Sequence, residues 1–118
     1  MGIDVIEVER VKSAIEKHGE RFLRRIFTER EIEYCSGRKK PHQSFAGRFA
    51  AKEAVMKAIG TGLSSGIRWK DIEILNDERG RPYVILHGRA KEMAGNLKID
   101  ISISHSDTCA AAVCIMYG

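Results

Sequence analysis

Between Gly47 and Gly62 the chain reads GRFAAKEAVMKAIGTG, and this stretch carries charge where a purely structural helix would carry apolar side chains. At about 100° per residue, Phe45, Phe49, Met56 and Ile59 fall on one helical stripe, with Lys52 and Glu53 within or beside it. Ions so placed need partners, because an unpaired buried carboxylate is costly or takes up a proton. The i,i+4 pair of Glu53 with Lys57 is available, but such a pair is worth only about 0.5 kcal/mol and accounts poorly for the placement. A carboxylate and amines converging on a helix that ends in Gly60-Thr61-Gly62 suit a metal ion and phosphate oxygens, since small residues let a ligand approach the backbone. Asp4, in a short strand between Ile3 and Val5, offers a second carboxylate from a different element, although alone it reads as a solvent-facing strand residue. Two carboxylates completed by water and phosphate suit octahedral Mg²⁺. Lys52, Lys57 and Arg48 are the cations at hand to neutralise such phosphates. Arg48 is rotated roughly 140° from Glu53 and so serves another part of the ligand, a partner chain, or solvent.

The elements that must position these groups are legible in outline. Residues 2–8 read as a strand with Ile3 and Val5 on one face and Asp4 and Ile6 on the other. A helix follows to about His18, with Gly19 as its stop, and a short helical piece covers 21–26. Thr28 and Glu31 have capping-box spacing and open a third helix that runs to about Cys35. The basic loop 36–41 leads into the long helix, expected over 43–59. Residues 71–75 and 82–86 are β-rich and flank a polar hairpin connection at 76–80. A short helix over 89–94 precedes a strand in which Ile99, Ile101 and Ile103 alternate with Asp100, Ser102 and Ser104. Residues 109–116 form a last strand, apolar on both faces, that needs cover. Helices early and strands late indicate an α+β fold with an antiparallel sheet.

With 118 residues the chain fits one domain, and its apolar runs are too short to span a bilayer. No signal peptide pattern follows Met1, so a cytoplasmic location is expected. Cys35, Cys109 and Cys114 lack C-x-x-C spacing and read as reduced core thiols. The net charge of +4 is lopsided. Arg10, Lys12, Lys17, Arg21, Arg24, Arg25 and Arg30 crowd the first quarter, which reads either as a solvated face or as a surface for a polyanion. The lone G-T-G matches neither a P-loop nor a Rossmann motif. His105, leaving a strand into a polar loop, is by itself a surface histidine.

Gly2-Ile3-Asp4, the segment Arg48-Phe49-Ala50-Ala51-Lys52-Glu53-Ala54 with Lys57 and Gly60-Thr61-Gly62, and Ser102-Ile103-Ser104-His105 together resemble the small bacterial 4′-phosphopantetheinyl transferases of the holo-[acyl-carrier-protein] synthase family. The resemblance runs from Gly2 to the last strand. It implies a trimer of α+β protomers with each active site at a subunit boundary. It also implies Mg²⁺-dependent transfer of phosphopantetheine from coenzyme A to a serine of apo acyl carrier protein, releasing adenosine 3′,5′-bisphosphate in support of fatty acid biosynthesis. Carried over by position, Asp4 and Glu53 are the Mg²⁺ ligands and Lys57 contacts the reacting phosphates. Arg48, His105 and the turn Gly60-Thr61-Gly62 hold coenzyme A, and Lys39 and Lys40 fall where the family often has basic residues for the 3′-phosphate. Arg10, Arg21, Arg24 and Arg25 meet the acidic carrier protein, with Arg10 and Arg21 expected outside the phosphate pocket. A small nucleic-acid-binding module would leave Asp4 and Glu53 without a role, and the few aromatic residues show no RNA-stacking pattern. A metal-dependent phosphohydrolase would turn over a nucleotide without any carrier protein.

Overall fold

A computed structural model describes residues 1–60 and 65–118. Strand β1 (Gly2–Glu7) runs directly into α1 (Val8–His18), followed by α2 (Glu20–Ile26), α3 (Glu29–Ser36) and the long α4 (Pro41–Ile59). A 3₁₀ turn (Trp69–Asp71) leads to the hairpin β2 (Ile72–Asn76) and β3 (Pro82–Leu86). Helix α5 (Gly88–Ala94) then precedes β4 (Lys98–His105) and β5 (Cys109–Tyr117). The α+β class and antiparallel sheets follow the sequence reading. Helix α4 starts two residues before the expected Gln43, because Pro41 at its first position has the φ a helix needs and no N–H to leave unpaired.

β5 is the centre of a three-stranded antiparallel sheet in the order β1-β5-β4. Its inward residues Ala110, Ala112 and Cys114 are small, which lets α4 lie close across the sheet. Asp4 stands opposite Ala112 on that inner face, so the carboxylate is carried toward α4. The approach is tightest at Gly2, where a Cβ would sit 2.1 Å from the Ala54 carbonyl oxygen. Only a residue without a side chain fits there. At the other end of the helix, a Cβ on Gly47 would lie 3.0 Å from Ile103 Cγ2.

α4 is buried around most of its circumference rather than along one stripe, because α1, α3 and β2 cover the side turned away from the sheet. Lys52 points into that second side. Its Nζ forms an ion pair with Glu31 Oε1 at 2.8 Å, donates to the Trp69 carbonyl at 3.1 Å, and hydrogen-bonds the Ile72 carbonyl. Both charged side chains are fully buried. The Glu31 carboxylate also accepts from the Thr28 N–H at 2.8 Å, completing the expected capping box, and from the Ile74 N–H at 2.8 Å. Burial lowers the proton affinity of Lys52 while the Glu31 charge opposes that effect. Beside it, burial alone would push the Glu73 carboxyl up, but hydrogen bonds from Arg30, Thr28 and His87 outweigh it and hold the group at about 2.

Among the described residues nothing covers the outer face of the three-stranded sheet. Ile3 and Val5 are each 64% exposed and Ile115 is 47% exposed, so the last strand is buried on its inner side and only partly covered on its outer one.

Candidate active site

The strand–helix crossing at Gly2 brings three of the expected residues together. Lys57, on the last turn of α4, donates to Asp4 Oδ1 at 3.0 Å and to the Ile3 carbonyl at 2.9 Å. It therefore serves the strand rather than its helical neighbour Glu53, and among the described residues none hydrogen-bonds the Glu53 carboxylate. Burial and the nearby Asp4 charge push the Glu53 carboxyl up, against the pull of Lys57 and Arg10. Glu53, unbonded and made costly to charge by burial and by the Asp4 charge, forms with Asp4 an oxygen donor pair that a hard cation relieves. Both line a cleft of about 360 Å³ whose other walls are Arg10, Val11, Phe22 and Phe49. That donor set fits Mg²⁺, which takes one or two carboxylates and keeps the rest of its shell for water and phosphate.

A second cleft, of about 410 Å³, lies beyond Gly47 and shares no lining residue with the first. Arg38, Lys39, Lys40, Arg48 and His105 all border it. Arg48 is only 5% exposed, hydrogen-bonds Asn76 Oδ1, and lies over the Tyr34 ring at 4.3 Å from the centroid. Its Nε has no hydrogen-bond partner, and among the described residues no carboxylate pairs with it. A buried guanidinium without a counter-charge is a ready anion site. Lys40 is held at 2.9 Å by Asp107, and Gln43 bridges Asp107 to His105.

The 4′-phosphopantetheinyl transferase superfamily profile matches residues 1–114. The chain belongs to that superfamily. It is 50% identical over 115 residues to the holo-[acyl-carrier-protein] synthase of Protochlamydia amoebophila, covering 98% of this chain and 94% of the relative. It is 49% identical over 118 residues to that of Moorella thermoacetica, covering 98% and 91%. Among solved structures, the Helicobacter pylori holo-[acyl-carrier-protein] synthase in complex with coenzyme A superposes with a TM-score of 0.86 at 29% identity, covering 98% of this chain and 97% of that one. The Bacillus anthracis enzyme in complex with coenzyme A (3′,5′-ADP) gives 0.83 at 37% identity, covering 98% and 93%. The transferase family and its α+β fold thus agree with the resemblance read from the sequence.

Two expectations change. Lys52, counted among the phosphate-neutralising cations, is sealed in the core on Glu31 and reaches neither cleft. The reason is helical phase: one residue before Glu53, it faces α3 and the 3₁₀ turn. Arg10 lines the carboxylate cleft instead of standing outside it. Arg24, exposed on α2, pairs at 2.7 Å with both Glu20 and Glu29, whereas Arg21 and Arg25 make no ion pair among the described residues. Gly60 caps α4 in the left-handed conformation, with its N–H on the Met56 and Lys57 carbonyls. Thr61 and Gly62 lie outside the described residues. Sequence reasoning missed Tyr34, Arg38, Gln43, Asn76 and Asp107 because they converge from distant segments, although the basic run 38–40 gave a partial signal.

Proposed function

We propose that this chain, acting as one domain in the cytoplasm, transfers the 4′-phosphopantetheine arm of coenzyme A to a serine of apo acyl carrier protein. The serine oxygen forms a bond to the β-phosphorus and gives up its proton to solvent, while the bond from that phosphorus to the bridging oxygen breaks and the oxygen departs with adenosine 3′,5′-bisphosphate. The observation that carries this reading is the pairing of an unbonded Glu53 with Asp4 and Lys57 at the crossing of β1 and α4, in a chain whose full-length relatives are named for this activity. Asp4 and Glu53 are the ligands for Mg²⁺, which when bound supplies charge neutralisation at the reacting phosphates. Lys57, anchored by a carbonyl and a carboxylate, presents its remaining hydrogen to a phosphate oxygen. Arg48 and His105, with Lys39 and Lys40, take the 3′-phosphate end. Arg21, Arg24 and Arg25, together with Arg10 at the cleft edge, face the acidic carrier protein.

One ligand cannot lie in both clefts of the same chain if α4 separates them, so the site is read as composite within a trimer. The bare outer sheet face, with Ile3, Val5 and Ile115 exposed, supports that assembly. Among the described residues no helix is long and apolar enough to cross a membrane. The deciding experiment incubates apo acyl carrier protein with this protein, coenzyme A and Mg²⁺ and follows intact mass. A gain of one phosphopantetheine per carrier protein is expected. Release of adenosine 3′,5′-bisphosphate with no mass gain would make the protein a hydrolase instead.

A further inference from the structure

The polar chain at the mouth of the basic cleft has a fixed direction. Asp107, on the turn between β4 and β5, accepts from Lys40 Nζ at 2.9 Å and from Gln43 Nε2 at 2.8 Å, both on Oδ1. A carboxylate only accepts, so the Gln43 amide must turn its nitrogen to Asp107 and its oxygen away. That oxygen lies 3.0 Å from His105 Nδ1. An amide oxygen also only accepts, so Nδ1 must carry the hydrogen in every protonation state of the ring. Among the described residues none hydrogen-bonds Nε2, which is left to exchange protons beside a cleft bordered by Arg38, Lys39, Lys40 and Arg48.

We propose that Gln43 and Asp107 are positioning residues for His105, fixing it as the Nδ1–H tautomer so that Nε2 is the ring atom offered to an anionic ligand in the basic cleft. The ligand assignment rests on the coenzyme A reading above; the relay itself rests on the hydrogen bonds alone. Two features make the relay a built device. Lys40 holds the Asp107 carboxyl below the usual carboxylate range, by hydrogen bond and by charge, so the acceptor end of the chain stays ionised. The turn that carries Asp107 is pinned by Ser106, whose N–H donates to the Cys109 carbonyl at 2.8 Å and whose Oγ accepts from the Thr108 and Cys109 N–H groups at 3.3 Å.

Long-range ¹H–¹⁵N spectra of the labelled full chain, recorded where imidazole is neutral, read the tautomer directly, and the signal lost in His105→Asn assigns the ring. The wild type is expected to show Nδ1–H, and Gln43→Leu to revert toward the Nε2–H form that free imidazole favours. In the same variant KM for coenzyme A should rise about fivefold with kcat within about twofold, because orientation for binding is lost and the reacting groups are untouched. The double variant Gln43→Glu with Asp107→Asn reverses the donor direction between the two side chains while still offering Nδ1–H an acceptor, so it should recover the tautomer and most of the KM. A wild-type ring in the Nε2–H form, or a tautomer unmoved in Gln43→Leu, overturns the relay. An Nδ1–H wild type with no affinity for adenosine 3′,5′-bisphosphate supports the relay and overturns the coenzyme A reading.

Discussion

The two clefts on either side of α4 are built on opposite electrostatic plans. At the β1 end, burial and the neighbouring Asp4 carboxylate make Glu53 expensive to charge, and it waits for a cation. At the Gly47 end, Arg48 is buried on a neutral amide and an aromatic face, so that its charge waits for an anion. Neither cleft is balanced from within. One helix thus holds a cation deficit and an anion deficit about 140° apart, and the composite site proposed above would let a single phosphate-rich ligand with its metal satisfy both.

The largest expected effect breaks the acidic side. Glu53→Gln and Asp4→Asn should each cut transfer by about two to three orders of magnitude in kcat while leaving thermal unfolding nearly unchanged, because each removes a metal-binding charge without changing volume. Near-normal turnover of either variant at limiting Mg²⁺ would remove the carboxylates from the mechanism. Mixing Asp4→Asn with Arg48→Ala chains tests the composite site. At coenzyme A well below KM, where chains lacking Arg48 are least active, random assembly gives about a quarter of the sites both intact faces, so activity should rise by about that share of wild type above the mean of the two unmixed variants. No recovery would confine the whole site to one chain.

The basic side should break more gently. Arg48→Met is expected to raise KM for coenzyme A about tenfold and to move kcat less, as loss of a ground-state contact requires. Acid should damage both clefts together, since the Lys52–Glu31 and Glu73 networks fix the helix between them. The Glu73 carboxyl is lower in the folded chain than in the unfolded one, so its contribution is present above about pH 4.5 and is lost as pH falls toward 2, on the order of 3 kcal/mol in all. Circular dichroism melts across that window would show the loss, and Glu73→Gln should flatten it. The smallest effect separates the arginines. Arg21→Glu should raise KM for the carrier protein a few-fold and leave coenzyme A alone, whereas Arg10→Glu, lining the carboxylate cleft, should disturb both substrates. Equal behaviour of the two would erase the distinction the cleft draws.

Much of this was legible in the sequence because it is local. Alternation put Asp4 on the face opposite Ile3 and Val5, the Thr28–Glu31 spacing announced its helix start, and the turn arithmetic separated Arg48 from Glu53. What was not legible depends on partners far away in the chain. Lys52 and Lys57 are both lysines on one helix, yet the first is neutralised by Glu31 in the core and the second is held at the surface by Asp4. No spacing rule tells them apart, since the choice lies in which element packs on each side. Asp107 and Gln43 are likewise 64 positions apart and meet only through the sheet.

The contact at Gly2 sets the distance between strand and helix by main-chain atoms rather than by side-chain volume. Apolar residues elsewhere in that layer, such as Ile6, Met56 and Ile99, can therefore be exchanged for others of similar bulk at a cost in melting temperature while the spacing of Asp4 from Glu53 is kept. Robustness and catalysis are thereby uncoupled over most of the core and coupled at one glycine. For anyone re-engineering the scaffold, Gly2 is the position to leave alone, and the apolar layer around it is open to redesign.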